Sequence, residues 1–441
     1  MPIPAKVYLG SNLLTSSYQS SSTYQRPSDW LTLPAAAANE VRGLHAVFNQ
    51  TENYCTIFGR TNDASQWFID WGDGSAIETV NSNTTATHNY SFSAPALSGT
   101  TTSKGYKQAQ VRVYANTGKT FYAVWFNQKA STPAGLQAYT TGWLDMNINL
   151  PNLAAGGNLL WGTSAIKHGY LERINITSWG GITSLSSMFN NCSVLQSLNE
   201  NDWNTSLITS MNSTFFGCQR LTQLDCSSWN VSNVTDMGNM FRFTTGIQRI
   251  ALSNWNVSNL SIAVSMFQDT NTLQEIDVSN WNTGNLTNSN SMFRNCVSLK
   301  TLNVRNWNMT KVTNINSMFS GCSSVQEIDI SLWSLPLCTN AGDLFLSCSS
   351  IQKLENCNFS AATTFGTTFA NNCYSLTSVT ITGVNASISF TNCMLSATAL
   401  DAIYTNLSAT GTGKTITVTG NYGTTTDNPA IATAKGWTVT G

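Results

Sequence analysis

Trp203, Trp229, Trp255, Trp281, Trp307 and Trp333 follow one another at a constant 26-residue step, and Trp179 stands two positions short of a full step before the first. Phe189, Phe215, Phe241, Phe267, Phe293, Phe319 and Phe345 keep the same step, as do Leu198, Leu224, Ile250, Ile276, Leu302, Ile328 and Leu354. Three apolar columns in phase restrict the chain to an architecture in which each unit stacks on the next. A unit this short cannot bury its own apolar face, so its stability has to come from its neighbours.

One unit shows how the stack is built. In Leu302-Asn303-Val304 the apolar residues alternate with a polar one, the period of a short strand. A Trp307-Asn308 turn follows, then an irregular middle, then Met318-Phe319, which returns to the core. Stacking predicts successive strands ~4.8 Å apart in a parallel sheet, with the Trp and Phe columns forming two aromatic ladders inside the solenoid.

The cysteines follow the same period. Cys192, Cys218, Cys296, Cys322 and Cys348 lie three residues after the column Phe, Thr244 and Thr270 fill that slot in two repeats, and Cys373 is one residue out of step. A slot that accepts Thr is a small buried position, not a nucleophile or metal ligand. No Cys-x2-Cys spacing of a zinc site occurs, and the three histidines, His45, His88 and His168, lie outside the array proper. Asn204, Asn230, Asn233, Asn256, Asn259, Asn285 and Asn308 head Asn-x-Ser/Thr triplets. They are expected to serve the turns as an inward or stacked amide ladder.

The strings Leu224-Asp-Cys-Ser-Ser-Trp-Asn-Val-Ser-Asn-Val-Thr-Asp-Met-Gly-Asn-Met-Phe241 and 275–299 resemble the BspA-type leucine-rich repeats of bacterial, mycoplasmal and phage-encoded surface proteins. The resemblance covers roughly residues 171–379; both ends of the array depart from it, with Gly180 and Ser334 in place of the Asn after Trp. It implies an adhesive or structural role and no catalysis. Ahead of the array, residues 36–165 read as all-β: Gln108–Tyr114 alternates and Thr120–Phe126 is a buried-strand run. Gln66-Trp-Phe-Ile-Asp-Trp-Gly-Asp-Gly-Ser75 with His88-Asn-Tyr90 is similar to the signature of PKD-type immunoglobulin-like domains. There Trp71 is expected in the core of a β-sandwich, and Asp70 and Asp73 are turn formers rather than a catalytic pair or calcium site.

Residues 1–35 read as an N-terminal attachment arm. Lys6–Leu13 resembles the short pieces that open phage tail and virion proteins, and such an arm could add a strand to a neighbouring subunit. Residues 381–441 read as a capping unit: an amphipathic helix around Leu395–Leu407, a strand at Gly413–Thr419, a helix started by Pro429 and stopped by Gly436, and a last strand ending at Thr440. This segment is similar to the closing unit of phage and bacterial repeat adhesins, and its task is to cover the last sheet edge.

The expected fold is therefore mainly β: an immunoglobulin/PKD-like β-sandwich at 36–165, a leucine-rich-repeat-type parallel β solenoid at 166–380, and a small α/β cap at 381–441. Charged residues are only 10% of the chain and the net charge is −1, against roughly 25% charged in an ordinary soluble domain. Without clustered Lys and Arg a nucleic-acid surface is excluded. No stretch approaches the ~20 apolar residues of a membrane span. The N-terminus has no apolar run of the secretory type.

The expected function is that of a non-enzymatic phage virion structural or adhesion protein (tail fibre, tail-tip or head-surface fibre) carried on the particle surface. The alternatives are a bacterial or microbial cell-surface adhesin and a purely structural virion decoration or spacer. No cofactor, metal or catalytic residue is expected. Partners would be other virion proteins through the arm and a host-surface glycan or protein, with a homo-oligomer allowed. Contact residues are expected where the repeat is least uniform, at Gln223, Arg249, Glu275, Thr301, Glu327 and Lys353. The recurring Asp225, Asp277 and Asp329 are read as structural, not as the paired carboxylates of a glycan hydrolase.

Overall fold

The computed structural model describes residues 24–50, 53–126, 142–153, 159–160 and 170–441. Two sheets form the N-terminal unit from β1 (Glu40–Val47), β2 (Tyr54–Thr61), β3 (Trp67–Asp70), β4 (Glu78–Val80), β5 (Thr84–Asn89), β6 (Lys107–Ala115), β7 (Phe121–Trp125), β8 (Trp143–Asn149), β9 (Leu159–Leu160) and β10 (Arg173–Ser178). One sheet runs β10-β8-β1-β6-β3-β4 and the other β5-β2-β7-β9. Pairing is antiparallel except β8 with β10 and β7 with β9. The expected strands at 108–114 and 120–126 are β6 and β7, and Trp71 is buried in the core.

Six of the seven residues of β8 are buried on both faces, because the six-stranded sheet is covered twice. One face packs against the second sheet. Across the other lies the segment 26–36, held by side chains of the strands beneath it. Gln108 Nε2 donates to the Asp29 carbonyl at 2.8 Å, Gln110 Nε2 to that of Thr32 at 2.8 Å, and Asn147 Nδ2 to that of Pro34 at 2.8 Å. Trp30 closes a small second core with Leu44, Ala46, Tyr106 and Leu144. Residues 24–35 are thus a strap on their own domain, not a free arm. The part of the expected arm at residues 1–23, like His168 and the 165/166 boundary, lies outside the described residues.

β10 joins this unit to the repeats. On one edge it pairs in parallel with β8; on the other it bridges to Ser197 of the first repeat, with Ile174 N–H donating to the Ser197 carbonyl at 3.0 Å. Gly180, at φ +60°, lets the chain turn against Leu153, whose backbone nitrogen would lie 2.4 Å from any Cβ there. The main hydrophobic core runs from the sandwich through the solenoid into the C-terminal unit.

Both aromatic ladders are present. Trp229–Trp255, Trp255–Trp281 and Trp281–Trp307 stack at 6.3, 6.2 and 5.8 Å with interplanar angles of 12°, 7° and 7°. The Phe rings from Phe189 to Phe345 stack at 5.3–6.1 Å, until Phe369 turns edge-on to Phe345 at 86°. Each indole N–H also needs a partner once buried. Trp307 Nε1 donates to the Val278 carbonyl at 2.9 Å and Trp333 Nε1 to that of Val304 at 2.8 Å.

The hydrogen bonding between turns is distributed differently from the sequence expectation. On the strand side, β11 (Gln223–Leu224), β12 (Arg249–Ile250) and β13 (Glu275–Ile276) are only two residues long. The segment that reads as irregular carries more. In one turn, Thr287, Ser289, Ser291, Phe293 and Asn295 all pair their backbone N–H groups with an adjacent turn at 2.7–3.1 Å. Left-handed residues make this possible. Ser187, Ser213, Asn239, Ser265, Ser291, Ser317 and Asp343 form one positive-φ column, and Asn191, Gly217, Phe243, Asp269, Asn295, Gly321 and Ser347 a second. These kinks break strand geometry while every second N–H still points along the stack.

The C-terminal unit follows the expected order. β14 (Lys353–Asn358) pairs in parallel with β15 (Ser378–Thr382), and β16 (Ile388–Ser389), β17 (Thr415–Thr417) and β18 (Thr438–Thr440) form a last parallel sheet. α1 (Ala397–Asn406) is capped by Ser396 and buries Leu400, Ile403 and Tyr404, while Lys435 Nζ reaches the carbonyls at its C-terminal end. α2 (Ala430–Thr433) is short. The last sheet ends in β18, three residues long, and shortness itself blunts an edge.

Candidate functional site

The six expected contact residues occupy one line on the strand side. Gln223, Arg249 and Glu275 pair directly across β11, β12 and β13. Thr301, Glu327 and Lys353 precede the buried Leu302, Ile328 and Leu354 as Gln223 precedes Leu224. Five of the six are exposed and Glu275 is half-buried. Arg249 Nε lies 3.5 Å from Glu275 Oε2, and beside this line Arg305 Nη1 pairs with Asp329 Oδ2 at 3.0 Å. Such exposed pairs add little stability, but they set a fixed charge pattern along the face.

Asp225, Asp277 and Asp329 are engaged in their own turns: each Oδ1 accepts the backbone N–H two residues on, at 3.0, 3.1 and 2.9 Å. The Asn of the Trp-Asn turns behaves alike. Asn230, Asn256 and Asn308 accept from the N–H two residues later at 3.1 Å, so these amides face outward and close Asx-turns instead of pointing in. The stacked part of the expectation holds for a second column, where Asn233, Asn259 and Asn285 donate to a carbonyl of the preceding turn at 2.7–2.8 Å.

Sequence reasoning missed one column. Thr209, Thr235, Ser261, Thr287, Thr313, Thr339 and Thr363 each donate their hydroxyl to the carbonyl of the equivalent residue one turn earlier, at 2.9–3.5 Å. The spacing was visible, but a polar column carries no hydrophobic signal.

The cysteine slot has a clear role. Cys218, Cys296, Cys322 and Cys348 donate Sγ–H to the carbonyl of the preceding turn's Phe at 3.0–3.2 Å, and Thr244 does the same with Oγ1 at 2.8 Å. Cys and Thr interchange because each is a small donor. All eleven cysteines are buried and free, and burial raises the thiols of Cys296 and Cys348 to about 12. Native protein is therefore expected to show no fast reaction with a thiol reagent, and eleven equivalents in denaturant; prompt labelling of the folded chain would contradict this burial.

In the sandwich, the Trp-Gly-Asp-Gly and His-x-Tyr residues form one cluster. His88 Nε2 contacts Asp73 Oδ2 at 2.7 Å and its ring stacks on Trp71 at 5.0 Å, while Tyr90 Oη donates to the Trp71 carbonyl at 3.0 Å. Asp70 and Asp73 accept the N–H groups of Gly72 and Ser75. His45 is buried between Tyr90 and Trp143, 5.2 Å from each ring, and burial drops its pKa to about 3. Above pH ~6.5 the imidazole is neutral in both folded and unfolded chains. Below it only the unfolded chain takes the proton, so stability falls by about 1.4 kcal/mol per pH unit until the folded pKa is reached. His45→Leu is expected to flatten this limb between pH 6.5 and 4 in denaturant titrations; an unchanged slope would exclude His45 as its source.

Among the described residues no group of three His, Cys, Asp or Glu side chains could hold a metal ion, and no helix is long and apolar enough to cross a membrane. A cleft of about 290 Å³ lies where sandwich meets solenoid, lined by Pro151, Ile176, Trp179, Asp202 and Trp203 among others.

Compared with known proteins, the central array matches the family described as "Mycoplasma protein of unknown function, DUF285", at residues 183–302 and 264–380. No curated protein matches the chain. Among solved structures, a leucine-rich repeat protein from Bacteroides ovatus is similar at 13% identity and a TM-score of 0.20, over 68% of this chain and 90% of that one. The assignment of a leucine-rich-repeat-type solenoid rests on the columns and ladders described above.

Proposed function

We propose that this chain is a non-enzymatic adhesion protein whose solenoid presents its strand face to a host-surface glycan or protein. One observation carries the reading. The buried columns repeat one residue type turn after turn, whereas Gln223, Arg249, Glu275, Thr301, Glu327 and Lys353 stand on the same backbone positions with different chemistry. Packing imposes the first pattern; a uniform scaffold with varied outward side chains is how repeat proteins build recognition surfaces. The recurring Asp225, Asp277 and Asp329 are taken up by turn bonds, which argues against their serving as the carboxylate pair of a hydrolase.

In our first reading the protein is a phage virion component, a tail or head-surface fibre, with a PKD-like sandwich as spacer and residues before 24 reaching other virion proteins. The family match, described from mycoplasma proteins, favours a second reading as a bacterial cell-surface adhesin. Immunogold labelling of the native source separates the two: gold on particles supports the virion, gold on cell envelopes the cell surface. For adhesion itself, labelled full-length chain is expected to adsorb to host cells, and Arg249→Glu with Lys353→Glu to reduce adsorption. Absence of adsorption by the unmodified chain would leave only a structural spacer.

A further inference from the structure

The second positive-φ column does not stop with the 26-residue repeats. It runs on through Asn372, Asn392 and Gly420 into the C-terminal unit, although the spacing there changes. Hydrogen bonds fix the correspondence. Asn372 N–H donates to the Thr391 carbonyl at 2.8 Å and Asn392 N–H to that of Thr419 at 2.9 Å, and Asn392 Nδ2 reaches Asn372 Oδ1 at 3.0 Å. A Cβ on Gly420 would lie 2.4 Å from Asn392 Oδ1. These three residues therefore occupy one position in successive turns.

Two residues beyond each column member stands a position that is exposed or half-buried in every turn. In the first seven turns these residues are Ser193, Gln219, Thr245, Asn271, Val297, Ser323 and Ser349, six of them polar. In the last three they are Tyr374, Met394 and Tyr422, and they are 59%, 47% and 60% exposed. Three large side chains are thus left in water on the last three turns, and exposed apolar surface grouped in this way marks a contact surface. From 356 to 400, and again from 415 to 426, the chain has no Asp, Glu, Lys or Arg, and the nearby carboxylates are engaged, Asp401 Oδ1 accepting the Asn428 N–H at 2.7 Å and Asp427 Oδ2 the Tyr404 hydroxyl at 2.6 Å. Asn372, Asn392, Ser375 and Thr391 supply the neighbouring polar groups.

We propose that Tyr374, Met394 and Tyr422 form a binding platform for a neutral, extended polysaccharide. Pyranose rings present C–H faces to an aromatic π-cloud and hydroxyls to flanking amides, which matches this mixture of rings and Asn. Two turns separate the tyrosines by ~10 Å at the strand spacing of a parallel stack, about the length of a disaccharide unit. A nucleic acid or an anionic surface needs cations that this segment lacks. Tyr also gives contact area at low conformational cost, since it has few rotatable bonds. The platform rests on the adhesion reading and supplies it with a ligand class and a second site, away from the strand-face column.

Affinity electrophoresis of the full chain in gels containing soluble mixed-linkage β-glucan, glycol chitin, mannan or hyaluronan tests this. Retardation is expected in at least one of the neutral gels and not in hyaluronan. Tyr374→Ala and Tyr422→Ala are each expected to weaken the interaction about tenfold, and the double variant to abolish it with an unchanged melting curve, since both rings are exposed. Tyr374→Phe retains binding. No retardation in any neutral gel, or retardation that survives the double Tyr variant, overturns the proposal. If host-cell adsorption falls with the strand-face variants while no neutral gel retards the chain, adhesion stands and the platform does not.

Discussion

Trp281→Ala is expected to lower the free energy of unfolding by about 3–5 kcal/mol. Trp281 is 3% exposed and stacks on both sides, on Trp255 at 6.2 Å and Trp307 at 5.8 Å. Removing the indole opens a cavity that neighbouring turns cannot close, because both are tied to the stack through their backbones. It also strips two rings of a partner and leaves the Leu252 carbonyl without its indole contact. Trp179 offers the comparison. It has one ladder neighbour, Trp203, tilted at 55°, and it borders the cleft at the junction. Trp179→Ala should cost less. Urea titrations of both variants measure the difference, and equal midpoints would mean that ring stacking along the rod contributes nothing beyond burial.

The second large effect is expected at Asp145, whose side chain is fully buried in β8. Its carboxylate is clamped by Arg26 Nε at 2.8 Å and Arg173 Nη1 at 2.7 Å. Arg26 belongs to the strap and Arg173 to the strand shared with the solenoid, so one side chain ties three parts of the fold together. Deleting one partner of a buried ionic contact typically costs about 3–5 kcal/mol, because the remaining charges lose their counter-ion. Asp145→Asn keeps the shape and is expected to lose stability in this range, with faster proteolysis within residues 26–36. Arg26→Met should cost much less, since Arg26 is 28% exposed and water can replace part of the contact. If Asp145→Asn melts like the parent, the carboxylate is not what holds the strap.

The solenoid was legible because large aromatic residues at a fixed step admit one packing solution. Trp229, Phe241 and Ile250 fell where their spacing placed them, and the helix at 397–406 was readable from Leu400, Ile403 and Tyr404. What escaped was carried by conformation and polarity. Ser291 and Asn295 take positive φ for reasons local sequence does not announce, and they turn an apparently irregular stretch into the main seam between turns. The hydroxyl column at Thr287 has no apolar signature. The strap at 26–36 looked like an arm because its partners Gln108, Gln110 and Asn147 are far along the chain and no local pattern joins them to it. The contact column was placed from variability alone, and the structure adds that its members share one exposed face. The Tyr374–Tyr422 stripe was hidden because its spacing abandons the 26-residue step that made the rest visible.

The seam has a genetic corollary. From Phe189 to Phe345 every ring advances by the same interval, and each turn offers the next the same donors and acceptors. Deleting or duplicating one coding unit of this length rejoins both ladders in register. Recombination can therefore lengthen or shorten the molecule in whole steps without inventing a new interior, while the outward residues are reshuffled with each exchange.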